Sequence, residues 1–405
     1  MKKWFTPLFL LVWAFSCSPD KESATSSALP ESWEALEAQA RGTRLTLMMW
    51  QGDPMINRYM SDFVVPAMKD TFGIELDILS GQGNIIVSTL MTEMEAGRKE
   101  SQIDAIWING ETFYQLRQIK GLFGPFVDRL PNSRLIDWDN PFIHTDFQQP
   151  IEGYECPWGN VQMAWIYDSS RIPTPPADLE ALELWLRANP GKFTLSNDFT
   201  GMTLLKSWLI HFAGGRDALQ GPFDESKYLQ SSQKLWEFVN RNKPYFWNRG
   251  ESFPASLSQM HQLFASGELW FTFSNNDAEV DNKVREGLFS ESSRAFVPDY
   301  GSIQNSHYLG IVAQAPNKAA AMVLCNFLIS PEAQIAKLDP LNWGDGTVLS
   351  PDRLDAPWRE KMSEVGERQY VPPRSALAPK ALMEPDPVYM IRLFEDFRKK
   401  VLSEQ

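Results

Sequence analysis

Trp107, Asn109 and Glu111 stand at alternate positions where an apolar run, Ile103 to Ile108, gives way to Phe113, Leu116 and Ile119 at helical spacing. The β-branched run reads as a buried strand and Asn109-Gly110 as its end. A strand that ends in polar residues and feeds straight into a helix is half of a βαβ unit. In open α/β sheets the ligand crevice lies outside the carboxyl ends of such strands. An indole, a carboxamide and a carboxylate would therefore face a cleft. Other predicted tips and turns supply the same residue types: Trp50 and Asp53, Trp158 and Tyr167, and Asn275 and Asp277. Aromatic faces attract cations through their quadrupoles, and carboxylates add a formal counter-charge. The set suits an organic cation such as a polyamine. Stacking combined with Asp, Glu and Asn hydrogen bonds also suits a sugar. No arginine occurs at these tips, which argues against an anion held by a bidentate clamp.

Each of these residues also has a bland reading. The chain carries 15 tryptophans in 405 residues, so several must serve packing. Asp53 and Asp277 could be helix caps. His144, His211, His261 and His307 are scattered without metal-ligand spacing, and no cofactor motif is expected. An exported hydrolase is the rival class. It would need a nucleophile with its base and an oxyanion pocket, and neither Gly-x-Ser-x-Gly nor His-Glu-x-x-His occurs. Glu111 could act in a glycosidase only with a second carboxylate at suitable spacing.

The elements that position the tips follow from periodicity. Arg44 to Trp50 reads as a strand, Met55 to Thr71 as a helix with Pro66 as a kink, Ile74 to Leu79 as a second strand and Ile85 to Ala96 as a second helix. With the strand ending at Ile108 this is βαβαβ, which predicts a parallel sheet with covered faces. Val161 to Tyr167 is expected at a crossing between lobes. Phe193 to Ser196 and Leu269 to Phe273 are expected as strands of a second lobe. His307 to Ala313 should return to the first, and Pro385 to Val401 should form a final helix.

The chain is long enough for two or three domains, and 43% hydrophobic with 22% charged residues is a globular composition. A net charge of -13 repels phosphate backbones, so no nucleic-acid partner is expected. Lys2 and Lys3 precede an apolar stretch from Trp4 to Phe15, too short to span a bilayer and suited to a signal segment. Cys17 follows at a position similar to the bacterial lipoprotein processing site, although Ala14 and Ser16 would also suit ordinary signal cleavage. Ser18 to Pro30 has the composition of a flexible tether. Export to the periplasm or cell surface, anchored through lipidated Cys17, is the expectation. Cys156 and Cys325 are expected as buried free thiols in different lobes.

Three phrases in order carry a family resemblance: Asp104 to Glu111, Cys156 to Gln162, and Gly344 to Leu349, with Asn317 to Gln334 as a late helix pair. Together they resemble the solute-binding proteins of bacterial ABC importers, and more narrowly the YnjB-like subgroup linked to thiamine import. The resemblance implies an α/β, two-lobed periplasmic-binding-protein-like (type II) fold with a hinge and an interlobe cleft. Residues 1–17 would be the signal segment, 18–42 tether and entry helix, 43–149 and 302–405 lobe 1, and 150–301 lobe 2. It implies a monomer with no enzymatic activity that closes over a small-molecule solute and presents it to an ABC permease in the inner membrane. The paired tyrosines of related ferric-iron receptors have no counterpart, since no two tyrosines are adjacent.

Overall fold

The computed structural model describes Met1 and residues 29–402. The rest of the leader, Cys17 and the first part of the tether lie outside the described residues. The chain enters through a helix at Trp33–Ala40, where the Ser32 hydroxyl accepts from the Ala35 amide at 3.3 Å. Its strands are β1 (Arg44–Met49), β2 (Glu75–Ser80), β3 (Ala105–Ile108), β4 (Leu122–Phe123), β5 (Thr145–Asp146), β6 (Gln149–Pro150), β7 (Glu155–Gln162), β8 (Ala164–Asp168), β9 (Phe271–Ser274), β10 (Ser293–Phe296), β11 (Ser302–Val312) and β12 (Ala381–Leu382).

The expected βαβαβ unit is present. β1 runs parallel to β2 and to β3, with Leu47 opposite both Ile78 and Ala105. The main sheet has the order β12-β11-β3-β1-β2, and β4 and β7 also pair with β11. Helices cover it, so the side chains of the central strands β3 and β11 are mostly buried, while the edge strand β2 leaves Leu79 exposed. The helix after β1 passes through a π turn, Tyr59–Val64, before resuming at Val65–Phe72. Pro66 has no N–H to offer the Asp62 carbonyl, and the wider π turn absorbs that break where a kink was expected. Gly73, at φ 68°, closes the helix in the left-handed region that glycine tolerates.

The crossing between lobes splits at Met163, whose amide donates to the Ile303 carbonyl at 2.8 Å. Before it, β7 pairs with β11; after it, β8 lies between β9 and β10 in a three-stranded antiparallel sheet. Phe193 to Ser196, expected as a strand, joins no ladder. Its bonds run to loops, the Phe193 carbonyl accepting from Trp247 N at 2.7 Å. Helices at Leu179–Ala188, Phe199–Ala213, Glu225–Asn242, Leu257–Ala265 and Glu279–Arg285 complete this lobe.

Two expectations are corrected by the cores. The helix Pro387–Lys400, placed with lobe 1 by its position in the chain, buries Tyr389, Met390, Leu393 and Phe397 among Trp208, Tyr228 and Trp236 of lobe 2. Val371 and Leu377 pack against Ile166, Val280 and Ala295 of the same lobe. An amphipathic pattern fixes which face is buried but not against what. The two cysteines, assigned to different lobes, both lie in the lobe 1 core as free thiols. Burial, with the neighbouring Cys325, pushes the Cys156 thiol far above its ordinary range, so Cys156 packs as a small apolar group.

Candidate functional site

On the lobe 1 side, β1 ends beneath Trp50, whose indole lies across Gly52; a Cβ at Gly52 would come within 2.5 Å of the ring. Asp53 then opens the next helix, its Oδ1 accepting from the amides of Met55 (2.8 Å) and Ile56 (3.0 Å). Its other oxygen is 2.8 Å from Lys283 Nζ, on the far lobe's helix Glu279–Arg285. Burial works to raise the Asp53 carboxyl, but Lys283 and the two amides outweigh it and hold the pKa below its ordinary value. Asp53 is thus a helix cap, the other role the sequence allowed it, and an interlobe ion-pair partner.

The tip of β3 holds the expected trio. Asn109 caps the helix Gly110–Gln118, its carboxamide oxygen accepting from Thr112 N (3.2 Å) and Thr112 Oγ1 (3.1 Å). Trp107 is half-buried, with ring centroids 5.0 Å from Trp158, 5.0 Å from His307 and 6.1 Å from Trp343. β11 places His307 one step beyond the Tyr308–Ile108 pair, level with Asn109. His307 is tied to Asp345 (3.3 Å), which also accepts from Lys337 (2.5 Å). Burial raises the Asp345 carboxyl, and Lys337 and His307 overcome it, leaving a carboxylate.

Glu111 differs from the other tip carboxylates. Its one hydrogen bond among the described residues, from Gln115 Nε2, is 3.4 Å long. Burial raises its pKa, opposed only in part by the charge of Lys206 across the lobe interface. Lys206 is itself 2.5 Å from Glu384 and lies 4.2 Å above the Phe147 ring. Phe147 has a left-handed backbone, φ 44°, and its ring abuts Gly110 at the start of the Glu111 helix.

On the lobe 2 side, Asn275 donates to Thr200 Oγ1 at 3.1 Å. Asp277 is enclosed by Arg368, whose guanidinium donates to it, and by Arg374 Nε at 3.2 Å. It is a structural ion pair rather than a free counter-charge, and the arginines judged absent from the tips arrive from the C-terminal segment. Trp158 is fully buried behind Trp107 and belongs to the wall, not the surface, of the cleft. Tyr167 pairs with Phe271 at the start of β9, whereas the β9 tip, Ser274, pairs with Ala164. The register therefore puts Tyr167 at the end of the sheet away from the cleft, packed against Phe296.

Trp50, Trp107, Asn109 and Glu111 thus lie at the ends of lobe 1 strands, Asn275 lies at the end of β9 in lobe 2, and the lobes meet through Asp53 with Lys283 and through Glu111 near Lys206. Sequence reasoning missed Lys206, Lys283, His307, Trp343, Arg368 and Arg374. His307 was visible only as a lone histidine, and the two arginines lie outside any strand tip. Among the described residues no group of three or more His, Cys, Asp or Glu could hold a metal.

A two-lobed α/β molecule with strand tips facing across a double crossing is the architecture of a receptor that closes over a small solute. The chain belongs to the bacterial extracellular solute-binding proteins, whose family model matches residues 62–349. Protein YnjB of Escherichia coli (strain K12) is 35% identical over 334 residues, covering 82% of this chain and 86% of its own. Among solved structures, the TpPotD lipoprotein of Treponema pallidum superposes with a TM-score of 0.63 at 13% identity over 89% of this chain and 100% of its own. The periplasmic binding protein AfuA of Actinobacillus pleuropneumoniae, solved with fructose-6-phosphate, gives 0.59 at 13% identity over 89% and 98%. These structures share the type II binding-protein fold. Family and structural neighbours are binding proteins of ABC importers rather than enzymes.

Proposed function

We propose that this receptor closes over a solute bearing an organic cation, thiamine-like or a polyamine, and delivers it to its permease. One observation carries the reading: of the three tip carboxylates, Asp53 and Asp277 are ion-paired, while Glu111 has no ion pair within 4 Å among the described residues. A carboxylate raised by burial gains from a cation brought to it, and the half-buried Trp107, at the end of the strand that leads into the Glu111 helix, offers a π face. Trp50, Asn109 and Asn275 supply stacking and hydrogen bonds around that pair. A lipid anchor at Cys17 would keep the receptor beside the transporter.

Thermal-shift titration of the tether-free protein with thiamine, putrescine and a panel of sugars tests the reading. A ligand at about a hundred times its Kd adds close to 2.7 kcal/mol, enough to raise the midpoint visibly. A saturable shift with a cation, lost in Glu111→Gln, supports it; a shift with neutral sugars alone overturns it. Labelling with a palmitate analogue should mark the full-length wild type and spare Cys17→Ser, and equal labelling of both would remove the anchor.

A further inference from the structure

Where the turn after β1 meets the helix Glu279–Arg285 of lobe 2, one ammonium stands among three carboxyl groups. Lys283 Nζ lies 2.8 Å from Asp53 of lobe 1, and 3.2 Å from Glu279 and 3.1 Å from Glu286 on its own lobe. Asp53, Glu279 and Lys283 are each less than a tenth exposed. Glu279 also faces Asp53 directly, within hydrogen-bonding reach. An ionised carboxylate only accepts, so two carboxyl groups form a hydrogen bond only when one of them carries a proton. Asp53 is not the carrier, because its oxygens already accept from two amides and from the Lys283 ammonium. Glu279 is left to hold the proton.

The other titratable groups around Glu279 do not take that part. His261, on the helix Leu257–Ala265, lies 3.9 Å from the Glu279 carboxyl, and burial and then Lys283 lower its pKa to about 4. Burial works against the Lys283 ammonium, but Glu279 and Asp53 outweigh it and keep it charged. Glu286 is exposed and meets the group through Lys283. The contact is also reversible. With the lobes apart, Lys283 keeps Glu279 and Glu286, and Asp53 keeps the Met55 and Ile56 amides. What opening removes is part of the cover over Glu279 and the Asp53 charge beside it. Burial and that charge are what lift the Glu279 carboxyl to about 8 in the closed form, so on opening it returns towards its ordinary 4.5.

We propose that lobe closure takes up a proton from solvent at Glu279 as it meets Asp53, so that the solute-free receptor shifts towards its closed form as the medium becomes more acidic. The sign follows from linkage: the closed form binds this proton more tightly than the open one. The closing equilibrium constant therefore falls as pH rises towards 8, by up to about tenfold per pH unit, and levels off above it. No solute enters this equilibrium, so failure of either this proposal or the cation reading leaves the other standing.

X-ray scattering of the solute-free protein at about pH 6 and about pH 8.5, with thermal melts to show that each sample is folded, tests it. The wild type should be compact at the lower pH and expand at the higher. Glu279→Gln, which keeps its donor hydrogens at every pH, should be equally compact at both. Asp53→Asn retains a capping oxygen and loses the charge that holds the proton on Glu279, so its radius of gyration should also be the same at both. A wild-type radius of gyration that does not move between the two pH values overturns the proposal. An expansion of the same size in Glu279→Gln overturns it too, because the titrating group then lies elsewhere.

Discussion

Asp53 and Lys283 join the two lobes across 230 residues of sequence, carboxylate to ammonium at 2.8 Å, with both side chains almost wholly buried. Glu279 (3.2 Å) and Glu286 (3.1 Å) crowd the same ammonium. Removing one partner of a buried pair strands the other, which costs about 3 kcal/mol or more. Lys283→Met should therefore destabilise the protein by that order, enlarge its radius of gyration in X-ray scattering and weaken ligand binding. The double variant Asp53→Asn with Lys283→Met should recover part of the loss. Additive losses would show that the two residues are not coupled.

The same cluster sets a pH dependence. Burial, reinforced by Asp53, pushes the Glu279 carboxyl up to about 8 despite Lys283. The folded chain then holds a proton that an unfolded glutamate releases near 4.5, so stability is greatest below that value and falls as pH rises towards 8. His261 works in the opposite sense at lower pH. Burial and Lys283 depress it to about 4, so its contribution is present above 6.5 and is lost as pH falls towards 4. Glu279→Gln should flatten the decline in thermal midpoint between about pH 5 and pH 8 and raise the midpoint at pH 8. An unchanged pH profile would take Glu279 out of the account.

These partners show where sequence reasoning stops. Period-two and helical patterns placed β1, β2 and β3 and the tips at Asp53, Asn109 and Glu111, because a buried face leaves its mark on local sequence. They could not show that Asp53 meets Lys283, or that Asp277 meets Arg368 across 91 residues, since neither partner's type nor spacing carries a signal. The place of Tyr167 in the sheet was out of reach for a related reason. Alternation tells which face of a strand a residue occupies, but only the pairing of β8 with β9 tells which end of the strand faces the cleft. Phe147 gave no sign at all, because a left-handed backbone is announced by glycine or asparagine and not by phenylalanine.

Gly110 is where lobe closure can be tested by bulk alone. A Cβ there would lie 2.3 Å from the Phe147 ring, which is packed in the lobe 2 core. Phe147 is wedged under Lys206 and already strained, so it has little room to yield. Gly110→Ala should cost about 1–3 kcal/mol and hold the lobes apart in scattering. Adding Phe147→Ala should restore compaction. A Gly110→Ala protein as compact and stable as the wild type would show that Phe147 gives way.

Trp107 is braced by a cluster of rings, Trp158, His307 and Trp343. Its edges meet Trp158 and His307, and His307 stacks on Trp343 at 5.9 Å with an 11° interplanar angle while bonded to Asp345. That backing fixes the indole, and under the proposed function its exposed part meets the solute. A desolvated cation–π contact contributes about 2 kcal/mol, so Trp107→Ala should weaken binding of a cationic solute about thirtyfold. Trp107→Phe, keeping a poorer π face, should lose less. Calorimetric titration gives the affinities, and scattering shows whether ligand-induced compaction goes with them. Trp107→Ala also opens a gap beside Trp158 and Trp343, so the Phe variant and a thermal melt separate lost recognition from lost packing. If the Phe and Ala variants bind a cation as tightly as the wild type, the indole is wall and the solute is held elsewhere in the cleft.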